Sequence, residues 1–249
     1  MSGHSKWASI KHKKGALDAK RGALFTKLIK EITVAAKSGG GGLDTNPRLR
    51  TAVEKAKEAN MPSDNIQRAI KKGTGELPGV SYEEVTYEGY GPGGVAILIE
   101  ALTDNKNRTT SEVRNTLEKK GGNMSGAGSV SWQFHKKGFI IVKKEGVGED
   151  ALMTIALDAG AVDFNTREDS YEITTEPHDF EKVKKAITDA GINPESAEVT
   201  MIPQASVRVG SGDAKSLLAL IEALEEHEDV QNVYANFDIP DEVLKEAAG

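Results

Sequence analysis

Lysine and arginine are the side chains whose number and spacing could do chemistry in this sequence, and that chemistry is the holding of phosphate. Lys6, Lys13, Lys20 and Lys27 stand seven residues apart, an interval that drifts only about 20° per step on a helix and so makes a basic stripe. Lys11, Lys14, Arg21 and Lys30 widen it. Further on, Arg48 and Arg50 form a pair, Arg68, Lys71 and Lys72 a group, and Lys106, Arg108 and Arg114 a third set. An ordinary solvated face mixes both signs, because like charges repel. Residues 1–14 hold four lysines and no acid, and an anionic partner would relieve their repulsion.

The overall balance conceals this. The 249-residue chain has 32 Lys plus Arg against 38 Asp plus Glu, a formal charge of −6. Residues 1–75 carry 16 basic and 6 acidic side chains (+10), residues 76–144 carry 9 and 8 (+1), and residues 145–249 carry 7 and 24 (−17). Neutralising about six to ten phosphates weakens binding by about 10³ to 10⁵ between roughly 50 and 200 mM salt, and the basic third has enough cations for that. Trp7 and Phe25 are its only aromatics, too few for a platform that stacks single-stranded bases. Contact with the backbone or groove of a duplex or a structured RNA is therefore expected. Arg48 with Arg50, and Arg68 with Lys71 and Lys72, are candidates for a base-reading helix, although such side chains usually hold phosphates.

Other chemistry is poorly supplied. With no cysteine there is no disulfide, thiolate nucleophile or Cys-ligated zinc. The five histidines are scattered, and no H-E-x-x-H, P-loop or G-x-S-x-G occurs;. His227 among Glu225, Glu226, Glu228 and Asp229 reads as a solvated helix end. No catalytic residue, metal site or cofactor is expected. Gly89, Gly91 and Gly94 satisfy G-x-G-x-x-G, but the strand-like run Val95-Ala96-Ile97-Leu98-Ile99 follows where that fingerprint must open a helix, so a hairpin turn is the expectation. No run approaches the roughly 18 apolar residues that cross a bilayer, and a cytoplasmic protein without a membrane partner is expected.

The elements that position these residues follow from periodicity. Leu24, Phe25, Leu28, Ile29 and Ile32 predict a helix from Ala23, ended by Ser38 and Gly39–Gly42. Asn46 before Pro47 predicts a capped second helix, with Leu49, Ala52, Val53, Ala56 and Ala59 inward. Asp64 and Gln67 have capping-box spacing for a third, with Ile66, Ala69 and Ile70 buried before Gly73. Strands are expected over Val85–Tyr90 and Val95–Leu102. A helix through Lys120 is expected to start on a Thr109/Glu112 capping box. The glycine-rich run 121–129 is expected to be a mobile loop, either a plain connector or one that inserts Asn123, Met124 and Ser125 into a partner, followed by a strand from Val130 to Phe134.

From Phe139 the pattern strand, helix, strand, strand, helix, strand is a complete ferredoxin-like βαββαβ unit. Lys137-Gly138-Phe139 resembles the start of an RNP1 sequence, but on the first strand where RNP1 needs the third, and residues 135–204 hold 8 basic against 14 acidic groups. The pieces on either side each lack half a domain. The expected fold is therefore α+β in three parts: a basic helical domain (1–78), a discontinuous α+β domain (79–134 and 205–249), and the ferredoxin-like unit (135–204) inserted in it. The acidic C-terminal half is expected to face solvent or a protein partner.

Several segments, Gly3-His4-Ser5-Lys6-Trp7, Asn60-Met61-Pro62-Ser63-Asp64-Asn65-Ile66, Ala69-Ile70-Lys71-Lys72-Gly73, Glu88-Gly89-Tyr90-Gly91-Pro92-Gly93-Gly94 and Leu102-Thr103-Asp104-Asn105-Lys106-Asn107-Arg108-Thr109, resemble those of the YebC/PmpR family, and the similarity runs over essentially the whole length. The resemblance implies a helical N-terminal domain followed by two α+β domains and a DNA-binding transcriptional regulator. It also implies an alternative, a translation factor or translational activator on ribosomal RNA: mitochondrial members activate synthesis of a respiratory oxidase subunit, and bacterial ones are linked to ribosomes stalled on proline-rich stretches. It places the basic N-terminal segment and Lys106–Arg114 against nucleic acid. Under the translation reading it places the Met124 loop in the ribosome.

Overall fold

The computed structural model describes residues 17–240 and Val243. They divide into two compact units, one up to Ser131 and again from Ala205, the other Trp132–Gln204.

The first unit opens with three helices, α1 (Leu17–Gly39), α2 (Pro47–Glu58) and α3 (Ser63–Gly73). Leu28, Ile32, Leu49, Val53, Ile66 and Ile70 meet in their common core, which is the 3.6-residue pattern turned inward. Asn46 caps as its position before Pro47 predicts, accepting from the Leu49 N–H at 3.1 Å, and its amide nitrogen also donates to the carbonyls of Ala35 and Gly40. One buried side chain thus closes the end of α1 and the start of α2. The Asp64/Gln67 capping box does not form. Pro62 precedes the helix with no side-chain cap, and its carbonyl receives the Asn65 and Ile66 N–H groups, so the chain enters α3 two residues earlier than an Asp64 cap would set.

The same unit continues with β1 (Glu83–Gly91), a tight turn over Pro92–Gly94, β2 (Val95–Thr103), α4 (Lys106–Lys119) and β3 (Asn123–Ser125). After the second unit it resumes with β8 (Val207–Arg208), α7 (Ser211–Glu226), β9 (Val230–Ala235) and β10 (Phe237–Asp238). The sheet order is β3-β1-β2-β9, all antiparallel, and β2, buried throughout except half-buried Glu100, pairs with a strand from each side of the insertion. Leu117, Leu217, Leu220 and Phe237 fill its core. The turn at Pro92–Gly94 joins two strands, so the glycine fingerprint is a hairpin. The Thr109/Glu112 box is replaced: α4 begins at Lys106 on Asn105, whose side chain accepts from the Arg108 N–H, and Thr109 lies one turn inside, fully buried.

The second unit runs β4 (Phe134–Lys143), α5 (Glu149–Ala159), β5 (Ala161–Thr166), β6 (Ser170–Thr175), α6 (Phe180–Asp189) and β7 (Ser196–Pro203). Its antiparallel order, β5-β6-β4-β7, is ferredoxin-like;. The expected strand Val130–Phe134 is corrected: Ser131–Gln133 form a single 3-10 turn and the strand starts at Phe134. In the RNP1-like segment Gly138 is buried in the pairing of β4, where a Cβ would fall 2.7 Å from the Phe180 ring, and Lys137 pairs with Glu176. Packing accounts for that glycine, and an ion pair for that lysine.

Candidate nucleic-acid interface

The cations singled out from the sequence separate into two sets. Lys6, Lys11, Lys13 and Lys14 lie outside the described residues, and of Lys20 and Arg21 only the backbone, on α1, is described. Lys27 and Lys30, one turn apart on α1, reach the C-terminal end of α7. The Lys27 ammonium donates to the Glu225 carbonyl at 2.5 Å, and that of Lys30 to the Glu228 carbonyl at 3.0 Å. Glu225 lies in the last turn of α7, where carbonyls left without helical partners carry partial negative charge that suits Lys27, and Glu228 lies two residues beyond that helix;.

Lys30 goes further. Its ammonium is 2.5 Å from Asp229 Oδ1, and only 6% of the residue is exposed. Asp229 Oδ2 receives Arg108 at 2.7 Å and the Thr109 hydroxyl at 2.6 Å, and the carboxylate is wholly buried. Burial alone would raise the Asp229 carboxyl, but donors from Lys30, Thr109 and Arg108 outweigh it and hold the group well below the usual carboxylate range;. The Arg108 guanidinium is correspondingly raised, chiefly by its hydrogen bond to Asp229. Lys30 is therefore corrected from a phosphate ligand to half of a buried ion pair, and Arg108 is engaged by Asp229 and Asp104. Arg48 is also claimed: it grips Glu31 through Nε and Nη2 at 2.7 and 3.1 Å and Glu84 through Nη1 at 2.6 Å. The hydrogen bond to Glu31 is the main reason its charge is further secured.

The second set is exposed. Arg68, Lys71 and Lys72 stand on α3, and Lys106 on α4, with no salt bridge among the described residues. Arg50 donates to the Leu43 carbonyl, and Arg114 lies 3.9 Å from the Met124 sulfur. Lys119, Lys120 and Lys215, which sequence reasoning did not select, line an open cleft of about 770 Å³ beside Pro92 and Gly93, with Asp213 as its single acid. Lys119 and Lys120 were missed because isolated lysines at a helix C-terminus look like ordinary dipole partners, and Lys215, in the second turn of α7, because nothing local sets it apart;.

The Met124 loop does not stand free. Asn123, Met124 and Ser125 pair as β3 with Tyr90, Gly89 and Glu88, and Met124 packs on the core of the sheet. A Cβ on Gly89 would fall 2.5 Å from the Asn123 carbonyl oxygen, so only glycine permits this approach;. Beyond β3, the buried Glu88 carboxylate receives the N–H groups of Gly128, Val130 and Ser131 at 2.7, 2.6 and 2.9 Å. Burial works against ionisation there, and the three backbone donors overcome it, lowering the Glu88 pKa. The run expected as a mobile loop is thus a short strand followed by a carboxylate-pinned turn.

Glu112, His227 and Asp229 lie close enough together to suggest a metal triad. Their hydrogen bonds argue otherwise. His227 Nδ1 accepts from the Asp229 N–H, leaving Nε2 to donate to Glu112 at 3.0 Å, and both Asp229 oxygens already face cations. A metal ion would have to displace two positive side chains.

A family model described as the TACO1/YebC protein N-terminal domain matches residues 5–76, and one described as the TACO1/YebC second and third domain matches residues 82–237. The chain belongs to the TACO1/YebC family. Two relatives, each named a probable transcriptional regulatory protein, come from Desulforapulum autotrophicum and Geobacter sulfurreducens. Each is 60% identical, over 98% of this chain and 98% and 99% of their own lengths. A crystal structure of a conserved hypothetical protein from Aquifex aeolicus superposes with a TM-score of 0.79 at 50% identity, covering 91% of this chain and 94% of that one. The three-part α+β architecture is therefore a family property. No helix among the described residues is long and apolar enough to cross a membrane.

Proposed function

We propose that this TACO1/YebC protein is a nucleic-acid-binding regulator that grips phosphates of duplex DNA through exposed cations and acts without catalysis or a cofactor, in the cytoplasm. One observation carries the reading. After the fold has claimed Lys27, Lys30, Arg48 and Arg108, the cations Arg50, Arg68, Lys71, Lys72, Lys106 and Arg114 remain outside any salt bridge among the described residues. Unpaired like charges at that density are stabilised by a polyanion. The names of the relatives, probable transcriptional regulatory proteins, support a role at DNA.

The second reading is a ribosome-associated translation factor using the same cations on ribosomal RNA. It is favoured by the engagement of Arg48 with Glu31 and Glu84, which takes one candidate base-reading side chain off α2 and leaves contacts suited to phosphate. Anisotropy titration against specific promoter and random duplexes separates the two. Specific binding to DNA gives at least a roughly tenfold preference at physiological salt; equal affinities together with co-sedimentation on ribosomes select the RNA reading.

A further inference from the structure

The carboxylate of Asp229 joins segments far apart in the sequence. It lies just before β9, receives Lys30 from α1, and receives Arg108 and Thr109 from α4; Thr109 in turn bonds the Thr103 hydroxyl at 2.8 Å at the end of β2. Its backbone is held as well, its carbonyl taking the Leu102 N–H at 2.8 Å and its N–H going to His227 Nδ1. Lys27 and Lys30 add the Glu225 and Glu228 carbonyls to the same seam. The three-helix bundle and the β3-β1-β2-β9 sheet are thereby fastened through a cluster in which one buried acid faces two cations. None of these groups is free for phosphate, yet the exposed cations lie on both sides of the fastening, Arg68, Lys71 and Lys72 on the bundle and Lys106 and Arg114 on α4 beside the sheet.

We infer that Asp229 is a positioning residue for nucleic-acid binding: its ion pair with Lys30 holds the α3 and α4 cations at a fixed separation, so that both engage one polyanion. The inference rests on the proposed function. Two groups of contacts held in one frame bind with an effective-concentration advantage of about 10² to 10⁴ over the same groups working apart.

The sign of one effect makes this testable. Removing a negative charge from a protein that binds a polyanion ordinarily tightens binding, whereas loss of a positioning acid weakens it. Full-length wild type, Asp229→Asn, Lys30→Met and Lys30→Arg would be titrated with a 30-base-pair duplex and with ribosomal RNA over a salt series, after circular dichroism confirms that each is folded. The expected result is at least a tenfold loss of affinity for Asp229→Asn and Lys30→Met. Their salt slopes should become shallower by about two units as the Lys106 and Arg114 contacts drop out. Lys30→Arg, which keeps the charge and its donors, should bind within threefold of wild type. A partly unfolded sample lowers the active fraction but not the slope, so Lys30→Met tests the idea even if Asp229→Asn folds poorly. Unchanged slopes in both, or tighter binding by Asp229→Asn, would overturn the positioning role while leaving the proposed function standing. Failure of wild type to bind either nucleic acid would overturn both.

Discussion

On α1, Lys27 and Lys30 end on carbonyls at and just beyond the close of α7 and on the buried Asp229 carboxylate; on α3, Arg68, Lys71 and Lys72 are exposed, with no acid paired to them among the described residues. Both sets sit on amphipathic helices of the same bundle. Their different fates are set by what each helix packs against: α1 lies beside an acid and a helix end about 198 residues later in the chain, whereas the outer face of α3 has no such neighbour among the described residues. Basic residues on one bundle thus serve as a clamp where their helix, α1, meets the C-terminal half, and as an exposed surface on α3.

The largest effect should come from opening the clamp. Asp229→Ala leaves the Lys30 ammonium buried without its carboxylate, and breaking a buried pair from one side costs about 3 to 5 kcal/mol; a denaturant series would read this as a large fall in the unfolding midpoint of the first unit. A loss below about 1 kcal/mol would mean that the seam is solvated. The α3 face should behave oppositely. Arg68→Glu with Lys71→Glu and Lys72→Glu should cut affinity for a duplex at least tenfold and reduce the salt slope by about three units, yet shift stability by no more than about 0.5 kcal/mol.

Acid sharpens the contrast further. The Asp229 pKa is lowered in the folded protein, so its stabilising contribution is complete above the unfolded carboxylate value of about 4 and is lost as pH falls below it toward the folded value;. Thermal melts between pH 5 and pH 2.5 should show wild type losing stability more steeply than Asp229→Asn, and parallel curves would contradict the pairing. The smallest effect belongs to Lys27→Met, which removes one half-buried donor from the Glu225 carbonyl and should cost about 1 kcal/mol, with little change in the salt slope. A loss of slope there would return Lys27 to the phosphate-binding set.

Much of the fold was legible because its signals are local. Asn46 before Pro47 marked the start of α2, the glycine run between two apolar stretches marked the β1–β2 turn, and the period changes from Phe139 onward laid out the ferredoxin-like unit. The errors arose where a distant group outbid a local motif. Thr109 had capping-box spacing with Glu112 but spends its hydroxyl on Asp229, so Asn105 caps α4. The glycine-rich run looked mobile because nothing near it in sequence shows that Glu88, forty residues earlier, collects its N–H groups. The site was read less well than the fold. Charge counts found the basic third, but they could not separate cations that neutralise buried acid from cations that remain exposed, and Asp229, in a run that looked like a solvated helix end, gave no sign of its burial.

The central claim is that the exposed cations hold a polyanion. It is tested most directly by the slope of log Kd against log salt for the full-length wild-type protein on a duplex and on ribosomal RNA. Six phosphate contacts predict a slope of about +5 on duplex DNA, Kd rising with salt as counterions compete for the phosphates. A slope near zero, or no binding to either nucleic acid at about 50 mM salt, where such contacts are strongest, would contradict the account.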